Sequence, residues 1–287
     1  MGGTEGGTYA LTRVKTLLRC TYISCLQHNQ LNNAAALSFF FLLSLSPLLI
    51  FLVSLMALLP IHNLDSHILD AMSQILPVDA TKVVARQLRS VFESNRSLLS
   101  LEILGAIWAG STGFYALIMA LNTAYLAKES RSLWQRQVVS IGLTIVVGAM
   151  VFNALSLSLL GTRIGSWLAA RWGMNAELAV AWPYIRWLVA VGFIFLSVAL
   201  LYFIAPNVKH RLVDQVPGVT VAVILWLASS FVLGWYLRIS FSAFAAIYGT
   251  LGAVIALMLW FYLSSLAILI GAEVNAQIRL MRVAPHP

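Results

Sequence analysis

Charged residues are scarce in this chain, and their scarcity excludes an ordinary soluble domain. Asp, Glu, Lys and Arg make up 10% of the 287 residues, whereas 60% are hydrophobic. Soluble domains carry about 25% charged residues. Near the C-terminus no charged residue occurs between Arg238 and Glu273, although an α-helix needs only roughly 20 apolar residues to cross a bilayer. The composition therefore predicts a polytopic membrane protein without a separate soluble domain.

Side chains suited to catalysis or metal binding are also sparse. The two cysteines, Cys20 and Cys25, precede the first apolar run, and we expect them to face the cytosol in reduced form. The five histidines are scattered without ligand spacing, and no Walker A loop, GxSxG elbow or CxxC pair occurs. Because hydrolysis of a phosphodiester needs a metal clamp or an acid–base pair, we expect neither an enzyme nor a metal or other cofactor.

The apolar runs that are present predict an all-α fold with six transmembrane helices in a single membrane domain, residues 1–287. The predicted spans cover about 34–59, 98–126, 138–160, 186–205, 217–237 and 246–272. Residues 1–32 are predicted to form a cytosolic, interfacial helix, and 61–97 an external segment with two amphipathic helices. The short loops that this topology assigns to the cytosol are densely basic, so the positive-inside rule favours cytosolic termini.

Helix-breaking and polar residues at membrane depth indicate a candidate substrate path. The candidates are Pro47, Gly110, Ser111, Thr112, Gly113, Asn122, Asn153, Tyr248, Gly249 and Gly252. A proline removes a backbone hydrogen bond, and unwound backbone inside a membrane can line a cavity. The alternative is structural, because kinks, small residues at helix contacts and hydrogen bonds between helices also occur without transport.

The last span carries a small-residue face that would let another helix approach closely. Its members are Gly249, Gly252, Ala256, Ser264, Ala267 and Gly271. Glu273 follows this face where hydrocarbon meets water, and a bare carboxylate there is costly. We therefore expect it to be paired across segments; the alternative is a solvated helix end. The candidate partners are Arg136, Lys128, Lys209, Arg211, Arg19 and Asn32.

We call one predicted group of residues the cytosolic mouth. It comprises Glu273, Asn275, Asn32, Arg136, Lys209 and Arg211. Further cations are predicted at both ends of the spans, which suits passage of an anionic or amphiphilic molecule. Ordinary contact with lipid headgroups explains any single arginine equally well. The net charge of +8 is spread among loop ends, so we expect anionic lipids and no nucleic acid as partners.

Short fragments in a constant order resemble one family. They are Ala34–Phe39 and Ser44–Pro47, then Gly113-Phe114 and Ala120–Tyr125, then Pro217-Gly218, and finally Tyr248-Gly249, Trp260–Tyr262 and Gly271-Ala272-Glu273. From roughly Asn33 to Gln277 the chain resembles the YihY/BrkB family of bacterial inner-membrane proteins, once labelled ribonuclease BN. The resemblance implies a multi-pass inner-membrane protein with six helices and cytosolic termini, and it implies no settled biochemical activity.

Two classes of function remain open at this point. One is a transporter, exporter or flippase of an anionic amphiphile or a small anion. The other is a non-transporting envelope-integrity or scaffold protein, whose helices dock partners; a second copy of the chain is compatible with either. The helix breakers at depth favour transport, because a pure scaffold would not need them.

Overall fold

Helices account for all the regular secondary structure in the part of the chain that the structure describes. It is a computed structural model, and it describes residues 3–57, 104, 107–172, 176–248 and 251–283. The helices are α1 (Gly3–Gln27), α2 (Gln30–Ala57), α3 (Thr112–Ala124), α4 (Leu133–Trp172), α5 (Ala176–Ile204), α6 (Val216–Tyr248) and α7 (Leu251–Val283). A 3-10 helix (Leu212–Gln215) precedes α6. The predicted external segment 61–97 lies outside the described residues.

Four helical stretches of the described chain are long and apolar enough to cross a membrane. They are Leu133–Val151, Ala181–Ile204, Leu212–Ile239 and Leu251–Arg282. Helices suit this role because all their backbone hydrogen bonds are internal. A shorter apolar stretch, Gln30–Leu45, lies in α2, where the first span is predicted. The prediction of an all-helical, multi-span membrane protein is confirmed for the described residues.

Clustering of contacts divides the chain into two compact units. One consists of Phe40–Gly113, and the other of Met1–Phe39 with Phe114–Pro287. Within the larger unit, α6 packs along α7, α4 packs along α5, and α1 lies against α7. These pairings hold together the helices that carry the site described below.

The contact between α6 and α7 depends on two glycines. A Cβ atom on Gly271 would overlap the Gly218 carbonyl oxygen, and one on Gly218 would overlap the Gly271 carbonyl oxygen. The two backbones therefore touch at this crossing, as small residues permit in membrane proteins. The predicted close approach through the small-residue face of the last span is confirmed at Gly271.

Two helix breaks are predicted from the sequence, one at Gly110–Gly113 and one at Pro47. The helical residues 107–110 end at a turn residue, Ser111, before α3 begins. The Ser111 hydroxyl donates to the Trp108 carbonyl at 2.8 Å, and the Thr112 hydroxyl donates to the Ala109 carbonyl at 2.8 Å. The Ser111 N–H still donates to the Ile107 carbonyl at 3.0 Å, as in an α-helix, so an unwound segment here stays a prediction. At Pro47, α2 continues as a helix, and a hinge there also stays a prediction.

Candidate functional site

A buried carboxylate lies on α7, a helix long and apolar enough to cross a membrane. Glu273 is 0% exposed. A charged group with no access to water is costly unless hydrogen bonds and an opposite charge compensate it. Glu273 is therefore not a solvated helix end, and its carboxylate needs partners within the protein.

The partners come from the turn that joins α1 to α2. His28 Nδ1 lies 2.7 Å from Glu273 Oε1, and Gln30 Nε2 donates to the same oxygen at 2.6 Å. Asn33 Nδ2 donates to Gln30 Oε1 at 3.1 Å, so the amide nitrogen of Gln30 is the group that faces the carboxylate. We call Glu273, His28, Gln30 and Asn33 the carboxylate cluster.

The turn itself has a local cause in the sequence. Asn29 has a positive φ of 53°, a conformation that asparagine tolerates better than most residues. His28 N–H donates to the Ser24 carbonyl at 2.9 Å and Asn29 N–H to the Leu26 carbonyl at 3.1 Å, which closes α1. This left-handed residue lets His28, which follows α1, and Gln30, which begins α2, approach one carboxylate.

The second carboxylate oxygen is unsatisfied. Glu273 Oε2 is buried and has no hydrogen-bond partner among the described residues. A carboxylate has room for several donors, and Oε1 already accepts two. The arrangement thus compensates one oxygen of the buried group and leaves the other open to a proton or a ligand donor.

The prediction that Glu273 is paired is confirmed, but its predicted partners are wrong. The described hydrogen bonds of its carboxylate go to His28 and Gln30, neither of which was a candidate. The candidates were five cations and the amide of Asn32, because opposite charge or an amide donor compensates a carboxylate. The missed signal is the polar run from Gln27 to Asn33, which interrupts apolar sequence at the start of α2.

The candidate partners lie elsewhere. Arg19, Asn32, Lys128, Lys209 and Arg211 are exposed. The Arg136 guanidinium lies 5.4 Å from the centre of the Tyr115 ring, and its Nε is buried without a hydrogen-bond partner among the described residues. The described contacts of the Glu273 carboxylate include none of these side chains, and the cytosolic mouth stays a prediction.

Asn275, one half-turn beyond Glu273, joins α7 to the start of α6. Its Oδ1 accepts from the Gly218 N–H at 2.7 Å, and its Nδ2 donates to the Gln215 carbonyl at 3.0 Å. The Tyr125 hydroxyl donates to Gln215 Oε1 at 2.6 Å. Because the first backbone N–H groups of a helix lack partners within that helix, Asn275 caps α6 from a neighbouring helix.

Tyr202 and His210 make further contacts near Tyr125. The Tyr202 hydroxyl donates to the Ile268 carbonyl of α7 at 2.5 Å. His210 stacks on Tyr125, with ring centroids 5.8 Å apart, and its Nε2–H donates to the Tyr202 carbonyl at 3.0 Å. Burial lowers the pKa of His210 below its ordinary value of 6.5, so this imidazole is neutral at pH 7.

A second polar network links the loop after α3 to the loop after α5. Asn122 Nδ2 donates to Glu129 Oε2 at 2.6 Å, and its Oδ1 accepts from Asn207 N–H at 2.8 Å. Arg131 Nη2 donates to the Ala205 carbonyl at 2.6 Å. Desolvation raises the pKa of Glu129, but hydrogen bonds and charge from Arg131 outweigh it and lower the pKa overall. Asn122 thus fastens two loops together.

The remaining path candidates stay predictions, and the structure describes the surroundings of some of them. Asn153 is exposed, and its Nδ2 donates to the Ala149 carbonyl of its own helix at 2.8 Å. Gly252 is buried in α7. Gly249 and the side chain of Tyr248 lie outside the described residues. Gly113 lies against the Phe41 ring in the smaller unit.

The chemistry available in the carboxylate cluster is acid–base chemistry. It contains an imidazole, a carboxylate and two amides, and within the described ranges no group of three or more His, Cys, Asp or Glu side chains could hold a metal ion. Histidine and carboxylate pairs transfer protons when their atoms lie within hydrogen-bond distance. The cluster can therefore exchange a proton between His28 and Glu273.

Comparison with known proteins identifies the family. Residues 23–287 match the family described as virulence factor BrkB. The chain belongs to this family. YfkH of Bacillus subtilis (strain 168), a protein named ribonuclease-like, is 35% identical over 259 residues, which are 90% of this chain and 93% of YfkH.

Other proteins to which the chain is similar are named as membrane proteins. A UPF0761 membrane protein of Alkalilimnicola ehrlichii is 28% identical over 262 residues, 89% of this chain and 56% of that protein. A UPF0761 membrane protein of Xanthomonas campestris pv. campestris is 30% identical over 161 residues, 55% of this chain and 35% of that protein. The chain thus spans about half or less of these longer relatives. No solved structure matches it.

Proposed function

We propose that this BrkB-family membrane protein is a transporter, exporter or flippase that moves an anionic amphiphile or a small anion. The observation that carries the proposal is the burial of Glu273 on a membrane-spanning helix, with one oxygen unsatisfied. Ionisable residues within membrane spans are expensive and usually belong to substrate or ion pathways. A protein that only docked partners would gain stability from an apolar residue at this position.

The proposed setting is the bacterial inner membrane, with six spans and both termini in the cytosol. In this topology the turn at His28 and Asn29 and the end of α7 lie on the cytosolic side. The two further spans are those predicted at about 34–59 and 98–126, where α2 and α3 are found. The carboxylate cluster would then stand at the cytosolic end of the bundle.

An anionic substrate is favoured by unneutralised basic groups. Lys209 and Arg211 are exposed in the loop between α5 and α6. Arg136 stands over an aromatic ring, and its described contacts include no carboxylate. Such groups attract phosphate or carboxylate headgroups at a membrane surface. Membrane lipids are accordingly the proposed partners.

The second candidate function is a scaffold, and one observation favours it. Helix α1 exposes several large apolar side chains, including Val14, Leu18 and Tyr22. Such a face lies in a lipid interface or against another protein. A scaffold would keep its binding partner without moving any solute.

We further propose that the chain is not a ribonuclease, despite the name of YfkH. The imidazole and carboxylate of the described pair meet where Glu273 has no solvent access, so a phosphodiester could not reach both groups. Purified protein incubated with RNA over a range of divalent cations should release no nucleotides. Release that a purified Glu273→Gln variant lacks would refute this statement.

The experiment that tests transport is reconstitution in vesicles of phosphatidylethanolamine and phosphatidylglycerol. Fluorescent phosphatidylglycerol reports lipid movement by quenching with dithionite, and a trapped anion-sensitive dye reports small-anion flux. Movement of either solute above protein-free vesicles supports the proposal. If the protein is folded and neither phosphatidylglycerol nor chloride moves, the result favours the scaffold function.

A further inference from the structure

We propose that Glu273 and His28 form a proton-binding site that couples substrate movement to a proton gradient. This inference rests on the proposed transport function and names its coupling ion. The site is a single buried carboxylate that receives its hydrogen bonds on one oxygen only.

The distribution of hydrogen bonds is the first argument. Oε1 accepts from His28 and from Gln30, whereas Oε2 is buried and bare. A site that held a permanent carboxylate would supply donors to both oxygens. One bare oxygen in an apolar interior leaves the negative charge poorly compensated. Binding of a proton removes that uncompensated charge.

The difference in exposure between the two groups supplies the route. The His28 side chain is 17% exposed and that of Glu273 is 0% exposed. A water-borne proton therefore reaches the imidazole first, at Nε2. The Nδ1 proton then passes to Glu273 Oε1 across 2.7 Å. The imidazole returns to its neutral form as the other tautomer, the carboxylate becomes a carboxylic acid, and one proton has moved from water to Glu273.

The other titratable groups around Glu273 do not replace His28 in this role. Cys25 of α1 interacts with it by charge, and burial, followed by the negative charge of Glu273, raises the pKa of that thiol to about 11. Tyr125 donates its hydroxyl proton to Gln215 Oε1. Arg279, further along α7, acts by charge on Tyr125. Of the described titratable groups facing the carboxylate, His28 is the one whose ring nitrogen lies within hydrogen-bond distance of it.

The proton also changes how the helices are held. Charge-assisted hydrogen bonds are roughly twice as strong as neutral ones. Neutralising Glu273 therefore weakens its bonds to the turn between α1 and α2, which carries His28 and Gln30. A further bond, from Gln277 Nε2 to Ser24 Oγ at 2.7 Å, still holds α1 on α7. Proton binding thus loosens the turn without detaching the helix.

The first test measures proton occupancy directly. Dicyclohexylcarbodiimide reacts with protonated carboxyl groups in apolar surroundings, and mass spectrometry of peptides locates the acylurea that forms. In proteoliposomes we expect labelling of Glu273 to be at least fivefold greater at pH 5.5 than at pH 8.5. Glu129 is the internal control, because Arg131 pairs with it at 3.0 Å and it should stay unlabelled. Labelling of Glu273 that is independent of pH overturns the proposal.

The second test measures coupling. An imposed proton gradient should change the flux of fluorescent phosphatidylglycerol or chloride at least fivefold with the wild-type protein, and less than twofold with His28→Gln, whose amide can still donate to Glu273. An equal response of both proteins overturns the coupling by His28. pH-dependent labelling without flux of either solute refutes the proposed transport function and leaves the proton site standing, so the two failures are distinguishable.

Discussion

Replacement of Asn275 by alanine should destabilise the protein, because this one amide holds the start of α6 on α7. Asn275 is 3% exposed. Its Oδ1 accepts from the Gly218 N–H at 2.7 Å, and its Nδ2 donates to the Gln215 carbonyl at 3.0 Å and to Gln215 Oε1 at 3.1 Å. Alanine can make none of these bonds, and the groups left behind are buried.

The magnitude follows from the groups that lose their partners. Loss of a helix cap costs about 1 kcal/mol, and a buried polar group without a partner costs about 1–3 kcal/mol. The sum is roughly 2–4 kcal/mol. In a protein of this size that lowers the unfolding midpoint by about 4–8 °C, since each kcal/mol shifts it by about 2 °C.

The assay is thermal unfolding of the detergent-solubilised protein, followed by the loss of the monodisperse peak in size-exclusion chromatography. Asn153→Ala is the matched control, because Asn153 is exposed and bonds only a carbonyl of its own helix among its described contacts. We expect the control to unfold within about 1 °C of wild type. An Asn275→Ala midpoint as high as that of the control would refute the reasoning.

Three further predictions concern packing, pH and topology. Gly271→Ala should lower the unfolding midpoint because the added Cβ would overlap the Gly218 carbonyl oxygen. Gly234→Ala is the control and should not lower it, because a Cβ there meets open space. Equal midpoints of the two variants would contradict the close approach of α6 and α7. Burial lowers the pKa of His210 below 6.5. As the pH falls below about 6.5 the unfolded chain therefore binds more protons than the folded chain, and the folded state loses stability. If the unfolding midpoint of His210→Gln falls as much between pH 7 and pH 5.5 as that of the wild type, His210 is not the cause. A reporter fused after Arg282 should be cytosolic and one inserted near Asn95 external, and a cytosolic signal near Asn95 would contradict the six-span proposal.

Hydropathy predicts the helices because the membrane leaves the backbone few alternatives. Every buried N–H and C=O must find an internal partner in lipid, so a long apolar run is a helix whatever its neighbours. The same reasoning extends to Gly271, because small residues at helical spacing indicate a close contact before the partner is known. The partner of Gly271 could not be predicted, since Gly218 lies in a separate helix.

The composition of the site depended on contacts that no local pattern specifies. His28 is 245 residues from Glu273, and Gln30 is 243 residues from it. Which polar residues meet a carboxylate depends on how α1 lies on α7 and on the left-handed conformation of Asn29. Asn153 shows the converse, because a polar residue in a span was a candidate for the substrate path or for a bond between helices, and its described hydrogen bond goes to its own helix. Polar type and depth identify candidates, and packing decides among them.

The most direct test of the central claim compares flux through wild-type protein and Glu273→Gln in vesicles that hold equal amounts of folded protein. Glutamine keeps the size of the side chain and its acceptor oxygen but cannot bind and release a proton. We predict at least tenfold lower movement of fluorescent phosphatidylglycerol or chloride with Glu273→Gln, and a partial loss with Glu273→Asp. Flux through Glu273→Gln equal to that of wild type would contradict the account, because the buried carboxylate would then have no part in transport.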